Sequence, residues 1–117
     1  MKNIFIHNTS ISDNDRIFVV AEIGVSAGKS LENAIKLIDF AVESGVNAVK
    51  FQTFNPSLFV SQNGNLANHF KGDDIIAVYK KMEFPRRFYS DVISYCKKRN
   101  IIFLASIFDT NSLNFVD

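Results

Sequence analysis

The chain has one cysteine, Cys96, among 117 residues, so no internal disulfide can staple it. A lone thiol suits a reducing cytoplasm, the expected location. A surplus of charge is also missing: 13 basic and 12 acidic side chains leave a formal net charge of +1. Without a basic stripe, nucleic acid is excluded as the main partner. No apolar run approaches the roughly 20 residues a membrane-spanning helix needs, so no membrane partner is expected. The start, MKNIFIHNTS, meets polar residues too soon for a secretory leader. His7 and His69 are the only histidines, their separation resembles no metal motif, and both read as loop or surface residues. Repeats, low-complexity tracts and linkers are absent. The length is that of one ordinary domain, far short of the roughly 250 residues of a full (β/α)8 barrel.

What is present alternates. Residues 3–6 and 17–22 are apolar and β-rich, separated by the turn-rich HNTSISDND, and predict a short leading strand and then a buried one. In SLENAIKLIDFAVESG, Ser30 is a good N-cap and Glu32 sits in the first turn, where the helix dipole favours a carboxylate. Leu31, Ala34, Ile35, Ile38 and Val42 recur at helical spacing, and Gly45 fits the position just past the helix end. VNAVKFQTF predicts a second buried strand. Residues 55–74 hold Pro56, Gly64, Gly72 and several Asn, and read as a long irregular segment. Ile75, Val78, Tyr79 and Met82 then mark a short helix. Another follows from Pro85, with Tyr89, Val92, Ile93 and Cys96 on one face and Asn100 placed to turn left-handed. IIFLAS is a third buried strand, and DTNSLNFVD begins a further helix. Strands alternating with helices predict a parallel sheet with helix-covered faces. The third βα unit is begun and not completed, the pattern of a piece of a longer barrel.

EIGVSAGKS, residues 22–30, resembles a phosphate-binding loop, but the spacing fails. The P-loop places four residues between its glycines. Only Val25, Ser26 and Ala27 separate Gly24 from Gly28, so the amides that would wrap a phosphate cannot converge in the same way. The simpler reading is that Gly28 relaxes a loop, Lys29 is solvated and Ser30 caps a helix.

Sites on α/β architectures form at the carboxyl ends of the strands. The first buried strand ends in Glu22, in phase with Val20 and Phe18. The second places Lys50 and Gln52 on one face, with Val49 and Phe51 on the other. The third ends in Ser106, in phase with Leu104 and Ile102. A carboxylate, an ammonium, an amide and a hydroxyl thus point to one locus. Each has a plainer account. Glu22 and Lys50 could form only a structural ion pair, although such a pair is roughly neutral for stability against apolar residues. Gln52 and Ser106 could satisfy strand-end backbone groups, and Cys96 reads as a small core hydrophobe.

FVVAEIG, GVNAVKFQTF, YKKMEFPRRFYSDVISYCKKRNI and IIFLASIFD resemble the sialic acid synthase (N-acetylneuraminate synthase) family over about residues 17–117. VKFQT after a helix-ending glycine is the most specific piece. The resemblance implies residues 1–117 as the N-terminal part, about three βα units, of a (β/α)8 TIM barrel with parallel strands. The remaining barrel and a small antifreeze-like domain would lie outside the chain. It implies an enzyme that condenses phosphoenolpyruvate with an N-acetylmannosamine-type sugar to a nine-carbon acidic sugar, releasing phosphate. Lys50 is similar to the family's phosphoenolpyruvate-binding lysine, and Ser106 stands where a hydroxyl contacts the same ligand. Glu22 resembles the catalytic glutamate facing the sugar carbonyl, and Gln52 would line the sugar site. A divalent metal, manganese or magnesium, is implied for the intact enzyme with ligands on strands outside this chain, as is a homodimer for the full-length form. The family usually follows E-I-G-x with Asn-His; here Ser26-Ala27 stands instead, removing an amide and an imidazole from the sugar side. Without the metal ligands and most of the barrel, this chain alone is expected to be inactive. Alternatives remain: a non-catalytic truncated barrel piece, or a related phosphoenolpyruvate-condensing keto-sugar-acid synthase.

Overall fold

A computed structural model describes residues 4–59 and 75–117. His69, Gly64, Gly72 and most of the segment read as irregular lie outside the described residues. The chain opens with a hairpin, β1 (Ile4–Ile6) and β2 (Thr9–Ile11), antiparallel with Ile4 opposite Ile11. The second strand falls inside the stretch read as purely turn-rich. His7 adopts φ 53°, which folds the chain back, and the β-branched Thr9 and Ile11 then fit an extended partner.

The first long strand, β3 (Val20–Gly24), starts later than the run of apolar residues suggests. Ile17 is 86% exposed. At the strand entrance, Val19 N–H donates to Asn47 Oδ1 at 2.8 Å while its carbonyl accepts from Asn47 N–H at 2.9 Å. Helix α1 (Leu31–Glu43) begins where Ser30 Oγ accepts from Asn33 N–H at 3.1 Å, and ends before Gly45 at φ 74°. Strand β4 (Ala48–Thr53) follows, then a single turn, α2 (Pro56–Phe59), in the segment read as irregular. Asn55 Oδ1 accepts from Ser57 N–H at 3.0 Å and organises that turn. After α3 (Ile75–Met82), Pro85 precedes a 3₁₀ turn, Arg86–Phe88, which leads into α4 (Tyr89–Lys98). Asn100 turns left-handed at φ 54°, as its position predicts. Strand β5 (Ile102–Ile107) and α5 (Thr110–Val116) complete the order.

The three long strands are parallel and lie in chain order, β3-β4-β5. Helices α1 and α4 share one apolar core with the sheet: Ala34, Ile38 and Ala41 meet Val49, Phe51, Val92 and Cys96. Phe51 is fully buried, worth about 1.5–3 kcal/mol in removed apolar surface. Its ring packs at 5.3 Å from Phe84 and 5.6 Å from Phe103. The two helices are also joined through Tyr95, whose hydroxyl donates to Asp39 Oδ1 at 2.8 Å, with Arg99 Nε 3.2 Å from the same oxygen. Right-handed crossovers with strands in unbroken order put successive helices on the same side, the winding of a barrel; a doubly wound sheet must reverse its strand order. The parallel sheet and its barrel winding are as expected: α1 and α4 cover one face, and the other, the inner face of a (β/α)8-type arrangement, carries Lys50 and Gln52.

Candidate functional site

The two-residue period of β4 separates its side chains cleanly. Val49, Phe51 and Thr53 are buried toward the helices, while Lys50 and Gln52 are only partly covered on the opposite face. Thr53 is satisfied there by the Tyr89 hydroxyl at 2.7 Å, so the helix side of the strand end is closed. Register then places the neighbours. Lys50 has Glu22 as its partner on one side and Leu104 on the other, and Ser106 is the partner of Gln52. All four site residues singled out from the sequence therefore occupy adjoining register positions, in two rows at the carboxyl ends of three adjacent strands.

In the first row, Lys50 Nζ lies 2.9 Å from Glu22 Oε2, with side chains 37% and 45% exposed. At Gly24 the pairing slips, so that Gly24 and not Ile23 stands opposite Phe51. Gly24 has φ 56°, a left-handed backbone that a residue with a Cβ rarely adopts. An added Cβ would stand 3.5 Å from Glu22 Oε1 and 3.7 Å from Gln52 Nε2. The glycine thus lies beneath a carboxylate oxygen and an amide nitrogen that converge above it. Sequence reasoning gave Gly24 to the failed phosphate loop; its part here depends on a backbone angle that residue types alone do not reveal.

The loop after β3 is not an anion cradle. Ser26, Gly28 and Ser30 donate their N–H groups to the carbonyls of Ile23, Val25 and Ala27 at 2.9, 3.0 and 3.2 Å. Successive turns thus occupy alternate amides of the loop, so they do not converge on one point as a phosphate cradle requires. Lys29 is exposed, and Ala27 is 1% exposed within the core. Cys96 is likewise buried on the helix side, and burial pushes its thiol up to about 11, which leaves it a poor nucleophile. Among the described residues no three His, Cys, Asp or Glu side chains gather as a metal site. Glu22, the carboxylate of the constellation, is already engaged by Lys50. The described residues do not make up a metal centre. No helix among them is long and apolar enough to cross a membrane.

A parallel sheet wound as in a barrel, with an ammonium, a carboxylate, an amide and a hydroxyl at its strand ends, defines the class: an α/β-barrel protein. The chain belongs to the NeuB family, whose model matches residues 37–117. It superposes on N-acetylneuraminic acid (sialic acid) synthetase from Leptospira borgpetersenii serovar Hardjo-bovis with a TM-score of 0.78 at 29% identity, covering 97% of this chain and 37% of that one. It is 30% identical over 113 residues to the spore coat polysaccharide biosynthesis protein SpsE of Bacillus subtilis (strain 168), covering 95% of this chain and 30% of that protein. It is 29% identical over 107 residues to N,N'-diacetyllegionaminic acid synthase of Campylobacter jejuni, covering 87% of this chain and 32% of the relative. The chain thus spans about a third of the length of the relatives it matches.

Proposed function

We propose that these residues form the phosphoenolpyruvate-binding part of a sialic-acid-synthase-like enzyme, which joins phosphoenolpyruvate to an N-acetylmannosamine-type sugar. The product would be a nonulosonic acid, with release of phosphate. The observation that carries this reading is the two-row placement of Glu22, Lys50, Gln52 and Ser106 on the inner face. Phosphoenolpyruvate carries a phosphate and a carboxylate, so a fixed ammonium flanked by hydroxyl and amide donors suits it. Lys50 holds the anion, Ser106 donates to it, and Gln52 lines the sugar side. Glu22 lies close enough to Lys50 for an arriving anion to compete with it, which would free the carboxylate to act on the sugar oxygen or the attacking water. A divalent metal, where the intact enzyme uses one, would draw its ligands from outside these residues. The relatives carry names for different nine-carbon acidic sugars, so the proposal is to that class. Cytoplasmic location and a homodimer in the intact form go with it.

The test is a chimera in which residues 1–117 replace the matching part of SpsE. Phosphoenolpyruvate consumption that depends on an N-acetylated amino sugar, and falls about 30- to 1000-fold with Lys50→Ala, is the expected result. A folded chimera that binds phosphoenolpyruvate no better with Lys50 than without it would remove the basis of the assignment.

A further inference from the structure

Asp109 does more at the carboxyl ends of β4 and β5 than cap a helix. Its Oδ1 accepts from Ser112 N–H at 2.8 Å, the bond expected of the N-cap of α5. Its Oδ2 accepts from the Ser112 hydroxyl at 2.9 Å and, from the loop after β4, the Asn55 N–H at 2.7 Å. Ser112 is fully buried, and its hydroxyl accepts in turn from Arg86 Nη2 at 3.2 Å. Asn55 is itself committed. Its carbonyl accepts from Leu58 and Phe59 N–H at 2.9 Å each, which ties α2 to it. Phe59 returns the contact edge-on to Phe108 at 5.2 Å, and Phe108 N–H donates to the Thr53 carbonyl at 3.3 Å. The circuit joins two loops that are 54 residues apart in sequence. Helix capping accounts for one of the three bonds that Asp109 accepts and leaves the bond to Asn55 unexplained.

We infer that Asp109 is a positioning residue: by gripping Asn55 it locks the loop after β4 to the loop after β5 just beyond the end of the β4–β5 ladder, and so steadies the strand ends that carry Gln52 and Ser106. The ligand side of this inference rests on the function proposed above; the clamp itself rests on geometry alone. Burial raises the Asp109 carboxyl, but the donors from Asn55 and Ser112 and the charge of Arg86 outweigh it and hold the group below the usual carboxylate range.

Serine and asparagine cap helices about as well as aspartate, but neither presents two anionic oxygens. Asp109→Ser and Asp109→Asn therefore keep the cap and remove the clamp, and two variants guard against one that fails to fold. In the 117-residue chain, amide hydrogen exchange should show Asn55 losing about 10- to 100-fold of its protection, while Ser112 changes by less than about threefold. Unchanged protection at Asn55 would overturn the clamp. The same proteins are then titrated with phosphoenolpyruvate while the Gln52 side-chain amide is followed by NMR. Affinity about tenfold weaker in both variants is expected. Equal affinity in variants that have lost Asn55 protection overturns the positioning role. A wild-type chain that shows the clamp but does not respond to phosphoenolpyruvate counts against the proposed function and leaves Asp109 as a link between loops only.

Discussion

Removing the Lys50 ammonium separates an ion pair kept for stability from one kept for a ligand. The pair with Glu22 is 2.9 Å long, and the two side chains are 37% and 45% exposed. At that distance the bare Coulomb attraction in water is about 1.4 kcal/mol, and exposed pairs return only about 0.2–1 kcal/mol after entropy and screening. Lys50→Ala should therefore leave the urea midpoint of the chain close to wild type, a change below about 1 kcal/mol. The effect on catalysis should be far larger. Losing a charge-assisted donor from a ligand site that closes away from water costs on the order of 2–4 kcal/mol in transition-state stabilisation, or about 30- to 1000-fold in kcat/KM. Lys50→Arg should recover only part of this, because a planar fork reaches differently from a compact ammonium. The assay is denaturation of the chain beside steady-state kinetics of the chimera. If the alanine variant loses well over 1 kcal/mol of stability but keeps near-wild-type kinetics, Lys50 is a structural partner of Glu22 and the reasoning fails.

Three further outcomes are expected. Lys29→Ala should leave the KM for phosphoenolpyruvate within about twofold in the same chimera, since the surrounding amides are spent on loop carbonyls; a much larger rise would restore the phosphate-loop reading. Gly24→Ala should cost about 1–2 kcal/mol in a urea titration through its left-handed backbone, since the nearest atom to an added Cβ, at 3.5 Å, is at ordinary contact distance; no loss would place Gly24 outside that conformation. Cys96 should resist a thiol reagent until the chain unfolds. Its thiol is raised from 9.0 to about 11, so the unfolded chain gives up the proton first and this contribution to stability is lost as pH rises through that interval. Fast native-state labelling at pH 8 would contradict the burial that causes the shift.

Much of this arrangement was legible because it depends on short-range chemistry. Ser30 and Gly45 bracket α1 as a hydroxyl cap and a left-handed exit should, and Asn100 does the same after α4. The phase of Glu22, Lys50, Gln52 and Ser106 followed from the two-residue period of extended chain. What was missed depends on pairings with other segments or on backbone angles. Thr9–Ile11 has turn-rich neighbours and becomes a strand only through β1. The single turn α2 is too short to show periodicity and is held by Asn55, which Asp109 holds in turn. The shift in pairing at Gly24 is invisible to composition, although it determines what lies beneath the Glu22 and Gln52 heads.

The two faces of β4 explain why a polar constellation can be carried on so apolar a strand. Val49, Phe51 and Thr53 are buried under the helices, and on that side even the one hydroxyl is paired, with Tyr89. Folding energy is therefore drawn from the outer face. Lys50 and Gln52 contribute little to it, since a half-exposed ion pair is nearly neutral. A residue that neither fills the core nor adds net stability can be chosen for what it binds. By the same logic Asp109 belongs to a different category from Lys50. Its three accepted bonds are structural, and any effect on the proposed ligand would pass through the loops it joins. Substitutions at Lys50 should thus change affinity without loosening the loops, whereas substitutions at Asp109 should loosen Asn55 first and weaken affinity as a consequence.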